Sequence, residues 1–177
     1  MQWFRSLVFT SFLFVSTFVY SFVLVAGFWL PYRGRYAIAR NWAEVQLGAA
    51  RVFCGLGYVV EGLENIPPGG FVSMWKHSSA WETIAQMVIF PEGTRVAPGQ
   101  TKEYGISGAL LAAETGRKIV PVAHDAGRYW GRRGLLKKPG TIRVVIGPPI
   151  DAAGQDPRAI NEATRIWIDA KVAELGA

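Results

Sequence analysis

The sequence predicts an α/β fold: an N-terminal membrane helix followed by a mixed or mainly parallel sheet covered by helices. Three observations predict it. From Ser6 to Leu30 no residue is charged, and roughly 20 apolar residues suffice to span a bilayer. Beyond residue 55, short β-branched runs alternate with segments of helical spacing, the pattern of strands and their covering helices. Clusters such as Asn65–Gly70 and Gly147–Pro149 punctuate them as turns. At 177 residues, the chain has room for one compact domain and an appendage. The lone cysteine, Cys54, excludes an internal disulfide and is expected as a small buried apolar residue. No repeat, metal-ligand cluster, dinucleotide fingerprint or P-loop is present.

Taken in order, residues 1–32 form the membrane helix and its flanks. Trp3, Trp29 and Tyr32 suit the membrane interfaces, and Pro31 marks the exit. A signal peptide would have a shorter apolar core, so the helix is expected to be retained. Arg33, Arg35 and Arg40 outweigh Arg5 across it, which puts the following domain on the cytoplasmic side. A half-inserted helix that never crosses is the alternative. Residues 33–54 are an amphipathic linker helix with Ile38, Trp42, Val45, Ala49 and Val52 near one face, expected to dock on the domain, with the membrane surface as the alternative. Residues 55–177 are the α/β domain. Its strands are expected at 58–63, 70–75, 118–123 and 141–146, its helices from 105 to 115 and from Asp156 onward. The last helix carries Ile160, Ile166, Ile168 and Val172 as its apolar set. The stretch 128–138 is basic, with aromatic and leucine insertions. It reads either as a solvated loop or as a contact for anionic lipid head groups. The net charge of +6 comes with no nucleic-acid motif, so no nucleic-acid partner is expected.

Two blocks carry chemistry. The first is His77-Ser-Ser-Ala-Trp-Glu82. The strand before it ends at Trp75, and Ser78 and Ser79 are good helix caps. On one continuous helix His77 and Glu82 would stand about 140° apart. With His77 just outside the helix and Glu82 in its first turn, the carboxylate reaches one imidazole nitrogen and leaves the other to take a proton from a hydroxyl. Ser79–Glu82 is equally a capping box, in which Glu82 bonds back to the helix start.

The second block is Phe90-Pro-Glu-Gly-Thr-Arg95. Val88–Phe90 reads as a short buried strand ended by Pro91. Gly93 permits a turn that exposes N–H groups, which with Thr94 hold an anion. Arg95 suits a phosphate, and Glu92 either glycerol hydroxyls or Arg95 itself. Its bland reading is a polar turn with a surface ion pair. His124-Asp125 is a second His–acid pair, but neighbours on a strand point oppositely, so no joint chemistry is expected there.

The two blocks together resemble the glycerolipid acyltransferase family, most closely the 1-acyl-sn-glycerol-3-phosphate acyltransferases. The family carries a His-x4-Asp/Glu motif, matched by His77 and Glu82, and the Phe-Pro-Glu-Gly-Thr-Arg motif, matched unchanged. Lys118–Val122 is similar to its later Val-Pro-Val strand. The resemblance spans roughly Gly55 to Pro149. It implies transfer of a fatty acyl group from a thioester to the sn-2 hydroxyl of lysophosphatidate, giving phosphatidate. His77 is then the general base and Glu82 its orienting partner. Glu92, Gly93, Thr94 and Arg95 are substrate-binding. No metal or bound cofactor is implied; acyl-coenzyme A or an acyl-carrier protein delivers the donor. Membrane lipids, anionic ones above all, are the other partners, and the bacterial inner membrane is the implied location.

Lys76 stands where the family has Asn, and Val96 where it often has Ser. A larger departure lies between the blocks. The family has a long segment there, with a further basic residue for the phosphate; here only Thr83–Ile89 intervenes. A helix signal runs into a strand signal with no Gly, Asn or Pro stop. This is expected to mark a junction near Met87–Val88, left either by a natural deletion or by omission of a segment from the sequence. A chain without it lacks a pocket wall, and the alternative function is an inactive relative that binds or scaffolds at a lipid surface. A hydrolase in which His77 activates water is a third reading.

Overall fold

The computed structural model describes residues 1–82, 90–97, 100, 102–131 and 134–176. The chain forms two compact units, one of residues 1–57 and 133–140, the other of residues 58–132 and 141–177.

The first unit is a helical hairpin. Helix α1 (Gln2–Ala26) and helix α2 (Tyr32–Cys54) are joined by the turn at 27–31. Tyr20 donates to Asn41, Gln46 to Ser16, and Gln2 to the Cys54 carbonyl at 3.0 Å, so the helices run antiparallel. The apolar run predicted through Leu30 stops as a helix at Ala26 and turns at Gly27. The inner face of α2 also differs from the expected one. Gln46, Ala50 and Cys54 are buried, whereas Val45 and Val52 are exposed. Within this unit α2 packs on the polar stripe of α1, so a glutamine takes an inner position that hydropathy assigns to valine. Lys137, which the sequence leaves in a solvated or lipid-facing loop, is only 2% exposed. Its ammonium donates to Thr10 and to the Leu135 carbonyl, and its backbone N–H to Ser6.

The second unit carries the sheet. Strand β1 (Leu56–Glu61) leads into it and a 3-10 turn follows at Leu63–Asn65. Then come β2 (Val72–Trp75), α3 (Ser107–Thr115), β3 (Ile119–His124), a single helical turn α4 (Ala126–Tyr129), β4 (Gly140–Ile146) and α5 (Pro157–Glu174). The strand order is β1-β4-β3-β2. β2 and β3 are parallel, with Val72 opposite Ile119 and Trp75 opposite Val122. β3 and β4 are antiparallel. The sheet is therefore mixed. Every residue of β3 is buried, as its continuous apolar run requires of a central strand.

Val72 and Met74 of β2 and Ile119 and Ala123 of β3 pack with Ala109 and Ala112 of α3 and Ile160, Ile168 and Val172 of α5. The small residues of α3 let that helix lie close to the sheet. Asp156 caps α5 by accepting from the Arg158 N–H, with Pro157 in the first turn. Ile166, expected in the apolar set, is exposed, and Thr164 takes the inner position by donating its hydroxyl to the Ile160 carbonyl. The helix expected to hold Glu82 in its first turn is represented by Trp81 and Glu82. Its continuation, the strand residues Val88 and Ile89, and the junction near Met87–Val88 lie outside the described residues.

Candidate active site

Strand β2 delivers the first block. It ends at Trp75, and the Lys76 N–H still donates to the Val122 carbonyl of β3. His77 follows at the C-terminal end of β2, where α/β sheets place their ligand sites. Its Nδ1 lies 2.9 Å from Glu82 Oε1. The same oxygen accepts from the backbone N–H of Ser78 at 3.0 Å and of Ser79 at 2.8 Å. Ser79 Oγ in turn accepts from the Trp81 N–H and donates to the Trp130 carbonyl. Capping box and His–carboxylate pair are thus one structure: the cap holds Glu82 where it meets the imidazole. A carboxylate oxygen only accepts, so Nδ1 carries the hydrogen and Nε2 keeps its lone pair. The His77 side chain is 12% exposed and that of Glu82 is fully buried.

The second block is a turn folded onto His77. Gly93 has φ +65°, its N–H donates to the Phe90 carbonyl, and open space lies where a Cβ would stand. The Val96 N–H donates to the His77 carbonyl at 2.7 Å. The His77 N–H donates to Glu92 Oε2 at 2.8 Å. Both backbone polar groups of His77 are therefore bound by this turn. Phe90 stacks on the imidazole, ring centroids 4.0 Å apart and planes 21° from parallel. Thr94 and Arg95 are half-buried on the same turn.

Glu92 is expected from the sequence beside the glycerol. The structure buries it and occupies both oxygens from within, one with the His77 N–H, the other with Lys76 Nζ at 2.7 Å. Nothing local in the sequence marks Lys76 as a site residue, because its partner lies 16 positions away and only the folded turn brings them together. His124 and Asp125 diverge, as strand alternation requires. His124 Nε2 donates to the Lys76 carbonyl at 2.8 Å, while Asp125 accepts from the Arg143 N–H. His124 Nδ1 accepts from the Ala126 N–H. Burial holds its imidazole below the ordinary histidine value. Burial, reinforced by Glu92 and Asp169, pushes the Tyr104 phenol up. In the basic stretch, Arg128 donates to the Leu175 carbonyl at the end of α5; residues 132 and 133 lie outside the described residues.

No protein-family model matches the chain. The 1-acyl-sn-glycerol-3-phosphate acyltransferase of Pseudomonas aeruginosa is 32% identical to it over 208 residues, covering 82% of this chain and 81% of that protein. Since 82% of 177 residues is about 145, some 60 of the 208 aligned positions have no counterpart here. The crystal structure of the 1-acyl-sn-glycerophosphate (LPA) acyltransferase PlsC from Thermotoga maritima superposes with a TM-score of 0.79 at 20% identity, covering 100% of this chain and 98% of that one. This second likeness establishes the fold, and the first establishes the kinship: the chain belongs to the 1-acyl-sn-glycerol-3-phosphate acyltransferase family.

Proposed function

We propose that the chain transfers a fatty acyl group from an acyl thioester to the sn-2 hydroxyl of 1-acyl-glycerol-3-phosphate, with His77 as general base. One observation carries this reading. The His77–Glu82 pair is oriented as a base, and the turn bearing Gly93, Thr94 and Arg95 is bound to both backbone polar groups of His77. Base and candidate anion site are thereby held in one piece.

The steps follow from that geometry. His77 Nε2 removes the proton of the acceptor hydroxyl as its oxygen attacks the thioester carbonyl. Glu82 stabilises the imidazolium that forms. The tetrahedral adduct collapses by breaking the C–S bond, and the imidazolium returns its proton to the departing thiolate. The thioester supplies the activation, so the protein acts by positioning and proton transfer. Gly93, Thr94 and Arg95 hold the phosphate of the acceptor. Glu92 shapes this site from beneath, through His77 and Lys76, instead of contacting glycerol. Phe90 shields one face of the imidazole.

Membrane attachment belongs to the same reading. Helix α1 is long and apolar enough to cross a membrane, with a mean hydropathy of 2.1 in its most apolar window. Anchored at a bilayer, with the site on the cytoplasmic side of a bacterial inner membrane, the enzyme meets an amphiphilic acceptor where it resides. Anionic lipids are suitable neighbours for Arg33, Arg35 and Arg40. Coenzyme A and acyl-carrier protein are both chemically sufficient donors.

The test is thioester consumption by the purified chain in detergent, with and without lysophosphatidate, against His77→Ala. The expected result is consumption that requires both the acceptor and His77, falling by at least about 10²-fold in the variant. Consumption without acceptor would point to a hydrolase, and none from folded wild-type protein would support the inactive, lipid-binding relative.

A further inference from the structure

The mechanism above has no chemical step for the ammonium of Lys76, which is among the most deeply buried charges in the second unit. Lys76 Nζ lies 2.7 Å from Glu92 Oε1 and 3.1 Å from the Gln100 carbonyl. The two side chains are 2% and 0% exposed. The other Glu92 oxygen accepts from the His77 N–H. A buried negative charge is thus fastened to the backbone of the proposed base, and a buried positive charge one residue away cancels it. Buried pairs of this kind do little for net stability, but removing one partner strands the other without compensation. What such a pair does well is hold a unique arrangement and a fixed local field.

We propose that Lys76 is a positioning residue that neutralises Glu92, seats the Phe90–Val96 turn against His77 and thereby sets the basicity of the imidazole. The proposal rests on His77 being the base. Among the described residues, the charged groups around His77 are Glu82 on Nδ1, Glu92 on its backbone N–H, Lys76 bonded to Glu92, and Arg95 on the turn that carries Glu92. His124 of β3 lies behind Lys76, donating to its carbonyl. Among these, Lys76 and Glu92 are bonded to each other and contribute as a neutral unit. Losing Lys76 would add a second negative field, which favours the imidazolium. Losing the Glu92 charge would add a positive one, which disfavours it.

The experiment uses the full chain in detergent micelles, with 13C/15N-labelled histidine, in wild type, Lys76→Met, Glu92→Gln and the double variant. The chain has two histidines, so His77→Gln assigns the spectrum and the His124 signal reports in each sample whether the fold is intact. The His77 titration midpoint is expected to rise in Lys76→Met, fall in Glu92→Gln, each by about 0.5 pH unit or more, and return toward wild type in the double variant. The acid limb of kcat/KM should move the same way, with kcat lower by about tenfold or more in each single variant and KM for the thioester within about twofold. A shift in the stated direction in either single variant, cancelled in the double, supports the proposal. Midpoints within about 0.2 pH unit of wild type in both single variants, or shifts of the same sign in both, overturn it. Full activity in His77→Ala would instead overturn the base assignment and leave the titration result standing.

Discussion

One oxygen of Glu82 serves three donors: the His77 ring, the Ser78 N–H and the Ser79 N–H. Among the described residues Glu82 Oε2 has no hydrogen-bond partner, so the negative charge is spent on one small region. A glutamine can present its amide oxygen to the same three donors, but it brings no charge to stabilise an imidazolium. Glu82→Gln is therefore expected to lower kcat by about 10²- to 10⁴-fold while the protein stays folded. Single-turnover acyl transfer beside a thermal melt checks this, and kcat near wild type would remove Glu82 from the mechanism. The His77–Glu82 pair was legible in the sequence because a strand end, two capping serines and a five-residue offset leave few alternatives. The Phe90 stack and the Lys76–Glu92 bond were not. Both depend on a turn folding back across a gap in sequence, and no local pattern records that fold.

At the scale of elements, His124 ties β3 to the end of β2 and to the start of α4. Its imidazole donates at Nε2 and accepts at Nδ1, which only the neutral ring can do. Burial lowers its proton affinity in the fold. In the unfolded chain it takes a proton near pH 6.5. The unfolded state thus binds more protons below that pH. The stabilisation His124 provides is complete above about pH 6.5 and is lost as the pH falls toward the lower folded value. His124→Gln should cost about 1–3 kcal/mol at pH 8. The stability gap between wild type and variant should narrow by pH 5. Chemical denaturation of both proteins at the two pH values measures it, and a gap independent of pH would refute the neutral-ring assignment. The strands themselves were readable to within two residues, because β-branched runs bounded by Gly and Pro have few other outcomes. The inner face of α2 was misread, since burial there follows hydrogen bonding to Ser16 as much as hydropathy.

The first unit shows why hydropathy misled at that point, and what the outer surface implies for the molecule. In α1 the buried positions are Ser6, Phe9 and Ser16, while Phe4, Phe14, Phe18 and Phe22 are exposed. Apart from Phe9, this helix turns hydroxyls inward and large aromatics outward, the reverse of a water-soluble amphipathic helix. Small polar residues joining the helices, with apolar side chains outward, is the arrangement a lipid solvent favours. Length and composition identified the apolar helix from the sequence, but its pairing with α2 depends on contacts between Ser16 and Gln46 or Tyr20 and Asn41 that no periodicity announces. The short spacing between the two motif blocks is likewise plain in the sequence, with only Thr83–Ile89 between Glu82 and Phe90. If the exposed aromatic face holds the protein at the bilayer, replacing Phe14 and Phe18 by Asp should weaken attachment without disturbing the hairpin interface, because both rings point away from it. Each Asp adds about 2.5–3.5 kcal/mol to the cost of burying that face in hydrocarbon. Co-flotation with vesicles of mixed zwitterionic and anionic lipid is expected to fall by tenfold or more (~10-fold is reached by about 1.4 kcal/mol). Acyl transfer to a short-chain acceptor in solution should persist, since the substitutions lie in the helical unit. Undiminished flotation would move the anchor elsewhere, to α2 and its arginines.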